Sequence, residues 1–198
     1  MMKIEIRSGT EALIEGYVNA VGRDSRVMRT LSGKKFVEQV TPGTFSKALQ
    51  RGENIEVRFN HGKRLGDTSG GSLNLFEDSI GLYAKALIHD EEVIKKAKDH
   101  ELRGWSFGFV KRADEWEDAD EGLSRRKLSD IELREVSILD KTPAYIATSI
   151  EMRGEEGEML ERRAGDEEPE ISVKDEKRGF LNEIYAKKIK ILEMEAEK

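Results

Sequence analysis

Three polar side chains in this chain have the types and settings needed for acyl-transfer chemistry. They are His61 in "RFNHGK", Ser106 in "GWSFGF" and Glu135 in "DIELREVSIL". An imidazole gains or loses a proton near neutral pH and serves as a general base. A serine hydroxyl becomes a nucleophile once a base removes its proton. A carboxylate on the far imidazole nitrogen holds that base in place. Brought together, the three would hydrolyse a peptide or ester bond.

Each has a plainer reading. Strand side chains alternate faces with a period of two. Ile55, Val57, Phe59 and His61 are therefore predicted to share one face, with the imidazole at the rim of the buried side. The run that follows, "GKRLGDTSGGS", is rich in Gly and Ser and leaves that rim open. A core-edge histidine bonded to a carbonyl would look the same. Ser106 and Gly108 fall on one face, opposite Trp105, Phe107 and Phe109. A small pair leaves room for a substrate main chain, and a serine selected for tight packing also fits. Ile131, Leu133 and Glu135 share a parity, so a carboxylate follows two apolar residues inward. Val136 and Ile138 occupy the other parity, and a rim carboxylate paired with Arg134 or Arg112 is the competing reading.

Several chemistries are disfavoured. His89 and His100 stand at opposite ends of a predicted helix, ~15 Å apart along its axis, too far to share one metal with His61. No metal or other cofactor is expected. The chain has no cysteine, and it carries no P-loop, dinucleotide fingerprint, calcium loop or G-x-S-x-G elbow. A net charge of −6 argues against phosphate neutralisation, so no nucleic-acid partner is expected. The first residues, "MMKIEIRSGTEALIEGY", are charged every few positions, and no apolar run approaches ~20 residues. These features read as an intracellular protein without a membrane partner.

The elements that must position the three residues are mostly strands. "KIEI", "ALIEGYVNAV", "NIEVRFNH" and "WSFGFV" alternate, and "GSLNLFEDSIGLYAKALI" reads as a hairpin. "TPGTFSKALQRG" is a short helix with Thr41 as its cap. Residues 90–104 are a second helix, capped by Asp90 and closed by Gly104. A charged excursion is expected at 111–126, then a final strand pair in "KLSDIELREVSIL". The fold class expected is mainly β with a few helices, closed or nearly closed.

Composition changes near residue 151. Residues 1–150 carry 25 acidic and 24 basic side chains, and residues 151–198 carry 15 and 10. The expected organisation is a core over 1–150, an acidic flexible linker over 151–179 and an amphipathic helix over 180–198.

Six segments, "EGYVNAV", "VTPGTFSKAL", "VRFNHGKRLG", "EDSIGLYAKALI", "LRGWSFGF" and "LREVSILDKTPAY", occur in an order and spacing that resembles the HK97-type phage prohead proteases. The resemblance covers roughly residues 12–150. It implies a serine endopeptidase that cuts capsid and scaffold segments inside the immature head, on a β-barrel resembling herpesvirus assembly proteases. The family's histidine maps onto His61, its serine onto Ser106 and its acidic residue onto Glu135. Where the family often has "WNHD" this chain has "FNHG", so an acidic neighbour is missing. Where it usually has "FPAN"-like residues, "KTPAY" keeps the proline and alanine. The implied substrate is the major capsid protein or its scaffold segment, with room for self-cleavage and for a homo-oligomer through the C-terminal helix. The implied location is the host cytoplasm, inside the assembling prohead. An inactive scaffold or assembly chaperone on the same fold is the alternative, and a metallohydrolase is a third reading.

Overall fold

A computed structural model describes residues 2–8, 10–30, 32–119, 122–140, 150–152, 159–164 and 170–171. The amphipathic stretch 180–198 lies outside the described residues. The alternating segments form strands as expected. β1 (Lys3–Ser8) pairs antiparallel with β2 (Glu11–Ala20). β7 (Leu73–Glu77) and β8 (Gly81–Ile88) are the two arms of the predicted hairpin. With β13 (Glu170–Ile171) these make a sheet of order β13-β1-β2-β8-β7.

The second sheet is built around β9 (Gly104–Asp118) and β10 (Ser124–Leu139), which pair antiparallel along nearly their whole length. The stretch read as a charged excursion is the continuation of β9 and the start of β10. β10 alternates there, with buried Ser124, Arg126 and Leu128 between half-buried neighbours, whereas β9 is exposed from Lys111 to Asp118 apart from half-buried Asp114. β3 (Met28–Arg29), β4 (Lys35–Val40), β5 (Glu56–Phe59) and β6 (Lys63–Asp67) lie on one side of β10. β11 (Ile150–Met152) and β12 (Met159–Ala164) lie beyond β9. β12 falls within the stretch read as a linker.

The sheets are not closed into a barrel, which corrects the closed or nearly closed architecture expected from the sequence. The pairing gives the reason. β4 runs parallel to the first part of β10, Ser124–Leu128, and β5 runs parallel to its last part, Glu135–Ile138. Both use the same edge of β10, so this sheet forks instead of curling round to meet the other. Helix α1 (Thr44–Gln50) connects the two prongs. One hydrophobic cluster fills the space between the sheets, with Ile4, Ile14, Val18, Ala84 and Ala86 from the first and Phe107, Phe109, Val136 and Ile138 from the second.

One end of each helix differs from the prediction, the start of α1 and the finish of the second helix. Gly43, at φ 87, is the residue before α1, a left-handed conformation that glycine adopts without Cβ strain. Glu77 of β7, rather than Thr41, accepts from the Gly43 and Ser46 amides at 2.8 and 2.6 Å. Thr41 turns its hydroxyl to the Leu128 carbonyl instead. Helix α2 (Glu91–Lys98) is capped by Asp90 as expected, its carboxylate accepting from the Val93 amide at 3.1 Å. It ends before Gly104, because His100 takes a left-handed φ of 58 and the Glu101 amide closes onto the Lys96 carbonyl.

A buried charge network ties β12 to β4 and β10. Arg126 reaches Glu161 at 2.6 and 2.9 Å, Glu38 at 3.1 Å and Asp114 at 2.7 Å. Arg163 reaches Glu38 at 2.6 and 2.8 Å and Glu161 at 2.7 Å. Breaking a buried pair from one side leaves charge without compensation. Arg126→Ala, which strips three carboxylates of a shared partner, is expected to destabilise the fold by about 3–5 kcal/mol. Equilibrium denaturant unfolding checks this, and a midpoint unchanged from wild type would contradict it.

Candidate active site

His61 does not continue the face of Val57 and Phe59. β5 ends at Phe59, and Asn60 and His61 follow at φ 49 and 59, both left-handed. Asparagine tolerates that region better than most residues, and its amide is locked here. Asn60 Nδ2 donates to Asp140 at 2.8 Å and the Asp140 amide returns a bond to Asn60 Oδ1 at 3.2 Å. The Asn60 amide donates to the Ile138 carbonyl at 2.9 Å, which pins the turn to β10. Two left-handed residues in sequence swing the imidazole to the opposite face, that of Glu56 and Arg58.

Glu135 arrives on the same face by a separate irregularity. The register of β9 against β10 shifts between Leu133 and Glu135. Leu133 pairs with Phe109 and Glu135 with Gly108, so the bulge turns Glu135 away from the apolar side that Leu133 occupies. His61 Nδ1 and Glu135 Oε1 are 2.7 Å apart. Arg112 and Arg134, the alternative partners considered for Glu135, pair with Glu132.

The carboxylate is 3% exposed and well supported. Arg162 Nε lies 3.1 Å from its Oε1 and Arg58 Nε 3.0 Å from its Oε2. Burial pushes the Glu135 carboxyl up, but the His61 bond and the charges of His61, Arg162 and Arg58 outweigh it and hold the group below the ordinary carboxylate range. The stability this group contributes is therefore present above about pH 4 and lost as pH falls through its depressed folded value. Near neutrality it is ionised and accepts hydrogen bonds without donating them. Nδ1 then carries the imidazole hydrogen, which leaves Nε2 as the basic nitrogen.

Ser106 is on this face too, one strand away, directly opposite Ser137 of β10. Ser137 Oγ accepts from the His61 amide at 2.8 Å and donates to the Arg58 carbonyl at 3.3 Å. Ser106 itself is 1% exposed, and its hydroxyl donates to the Arg163 carbonyl of β12 at 2.6 Å. His61 and Glu135 are thus brought into contact, and Ser106 is brought to the same sheet face with its hydroxyl engaged by β12. His89, 4.0 Å from Glu11, and His100 have no part in the arrangement. Among the described residues no group of acidic and histidine side chains could hold a metal.

Gly108 supplies the space for the carboxylate. A Cβ there would lie 2.8 Å from Glu135 Cγ and 2.9 Å from Oε1. Gly108→Ala is expected to push Glu135 off His61 and to lower kcat about 100-fold or more, since small misplacements near the chemistry cost that much. Peptide-hydrolysis kinetics checks it, and wild-type turnover would show that the Glu135 position is immaterial.

Three neighbours were not singled out from the sequence. Ser137 lies two residues after Glu135 on the same face, a signal that alternation could have given. Arg58 lies on the face that the left-handed turn of His61 joins, and that turn is not visible in an alternation pattern. Arg162 lies in a stretch too charged to suggest any buried role.

With the geometry in hand, comparison with known proteins is informative. A family model described as caudovirus prohead serine protease matches residues 2–163. No curated protein and no solved structure matches. A match over that span covers all three candidate residues and every described strand except β13 and the last residue of β12, and the chain therefore belongs to the caudovirus prohead serine protease family, the serine proteases of phage capsid maturation.

Proposed function

We propose that this chain is an endopeptidase that cuts capsid-protein and scaffold segments inside the prohead, with Ser106 as nucleophile, His61 as general base and Glu135 as the group that orients the imidazole. The observation that carries this reading is the 2.7 Å contact of His61 Nδ1 with a buried, ionised Glu135 on the sheet face that also holds Ser106. His61 Nε2 takes the proton of Ser106 Oγ as the oxygen attacks the scissile carbonyl carbon. It then returns the proton to the leaving amine, and a water activated the same way releases the acyl group. Glu135 stabilises the imidazolium between these steps without itself taking the proton. The chain works in the host cytoplasm within the assembling head.

A fluorophosphonate probe tests the assignment directly. Labelling that requires Ser106 supports it, and labelling unaffected by Ser106→Ala would place the nucleophile elsewhere. The second reading, an inactive assembly scaffold, has the burial of Ser106 in its favour. It requires that the wild-type chain take no label at all.

The tail has a different role in this reading. Residues 1–150 together with β12 form the protease core, and the rest of 151–179 connects it to 180–198. Phe180, Leu181, Ile184, Tyr185, Ile191 and Leu192 recur at helical spacing, and on this reading that apolar stripe seeks a partner surface. Its partner is another copy or a capsid-assembly protein. Deleting 180–198 is expected to leave peptide cleavage within about twofold of wild type while abolishing incorporation into proheads. Incorporation at wild-type levels would remove the recruiting role.

A further inference from the structure

We infer that Ser137 is a positioning residue for the base, its hydroxyl holding the His61 main chain in the left-handed turn from which the imidazole reaches Glu135. The inference rests on the reading of His61 as general base and deepens it.

Three observations lead to this residue. First, the His61 amide has left the ladder between β5 and β10. The Asn60 amide before it donates to the Ile138 carbonyl at 2.9 Å, and the Gly62 amide after it closes the turn on the Phe59 carbonyl at 3.0 Å. Between them the His61 amide donates to a side chain, Ser137 Oγ, at 2.8 Å. Second, Ser137 is 0% exposed and both roles of its hydroxyl are filled, since it also donates to the Arg58 carbonyl at 3.3 Å. A hydroxyl whose donor and acceptor partners are both fixed keeps one orientation, so a lone pair stays aimed at the turn. Third, Glu135 and Ser137 stand two residues apart on one face of β10, opposite Gly108 and Ser106 of β9. Glu135 Oε1 meets the imidazole Nδ1 at 2.7 Å. One strand therefore grips His61 at two points about 6.8 Å apart along its length, the ring through the carboxylate and the main chain through the hydroxyl. Two fixed points, rather than one, set the direction in which Nε2 faces.

The turn needs that hold. A non-glycine residue at φ 59 is strained and persists where its surroundings over-determine it. Asn60, tied to Asp140 at 2.8 and 3.2 Å, anchors the residue before the imidazole and not the one that bears it. The His61 carbonyl receives longer bonds, from Arg58 Nη1 at 3.5 Å and Arg162 Nη2 at 3.4 Å. Without the Ser137 hydroxyl the His61 amide loses its acceptor in a half-buried position. The turn then relaxes toward extended backbone, which carries the imidazole to the apolar side of β5 and away from Glu135. Ser137 is fully buried and offers nothing to a substrate, so its loss is felt in turnover rather than in binding.

Peptide kinetics on three substitutions tests this. Ser137→Ala is expected to lower kcat by about tenfold to a hundredfold with KM within about twofold of wild type, the pattern of a misplaced base. Fluorophosphonate labelling of Ser106 should slow by the same factor, since attack on the probe uses the same base. Ser137→Val should be as slow as Ser137→Ala, and Ser137→Thr should recover most of the wild-type kcat. Threonine and valine fill the same volume and differ in the hydroxyl, so that comparison decides the matter even if Ser137→Ala fails to fold. Equal kcat for Ser137→Thr and Ser137→Val would reduce Ser137 to packing and overturn the inference. Wild-type kcat in a folded Ser137→Ala, or a raised KM with kcat unchanged, would overturn it while leaving the protease assignment standing. A wild-type chain that takes no label, or a label mapped to Ser137 itself, would overturn both.

Discussion

Ser106→Ala is expected to reduce cleavage by about a millionfold, the order seen when a triad nucleophile is removed. The fold should survive. Ser106 is flanked by β10 on one side and β12 on the other, its side chain is small, and its hydroxyl donates to the Arg163 carbonyl. Alanine removes one oxygen from a well-packed site and leaves one carbonyl short of a donor, a loss of about 1 kcal/mol. For a chain of this size that is a fall in Tm of about 2–4 °C. Peptide kinetics and calorimetry on the same preparation separate the two effects. Residual activity within a hundredfold of wild type, in a folded variant, would mean that another side chain attacks the substrate.

His61→Ala should be nearly as damaging, again about a millionfold, because nucleophile and base act in one step and their losses do not add. The double variant with Ser106→Ala should be no slower than either single one. A double variant slower by a further factor of a thousand would show that the two residues serve separate steps. The fold tolerates the change because Glu135 keeps Arg162 and Arg58 as partners when the imidazole is gone. In the proposed mechanism Glu135→Gln retains nucleophile and base and replaces the ionised acceptor at Nδ1 with a neutral amide that can accept or donate. Its expected loss is smaller, about ten-thousandfold. An undiminished rate would assign the orienting role to another group. A loss equal to that of His61→Ala would mean that Glu135 does more than orient.

These expectations concern residues that the sequence already named, although the route by which two of them meet was not the one their spacing suggested. The alternation argument placed His61 with Phe59 and Glu135 with Leu133, both on the apolar side. Each is displaced from that face by one local irregularity, a left-handed pair at Asn60–His61 and a bulge before Glu135. Two displacements in the same sense bring the side chains together on the other face. A period-two rule carries no information about where a strand stops or slips, and a slip of one residue reverses every side chain beyond it. The opposition of Ser106 and Gly108 to Trp105, Phe107 and Phe109 needed no such correction, since the extra residue of that bulge, Arg134, lies in β10 and β9 runs through without one.

Residue chemistry, strand patterning, the Asp90 cap and the six ordered segments were thus determined by the sequence itself, because each depends on neighbours close along the chain. Closure was not. Whether sheets join into a barrel depends on which edges pair, and β4 and β5 share one edge of β10 from positions 88 and 79 residues away. Nor was the role of "ERRA" legible. Glu161, Arg162 and Arg163 look solvated when read locally, in a stretch with almost nothing apolar to bury. They are buried because their charges are matched by Arg126, Glu135 and Glu38, which lie 27 to 125 residues away in the chain. A charge is costly to bury alone and tolerable when paired, so the tertiary structure, which supplies the partners, decided that this strand lies over Ser106.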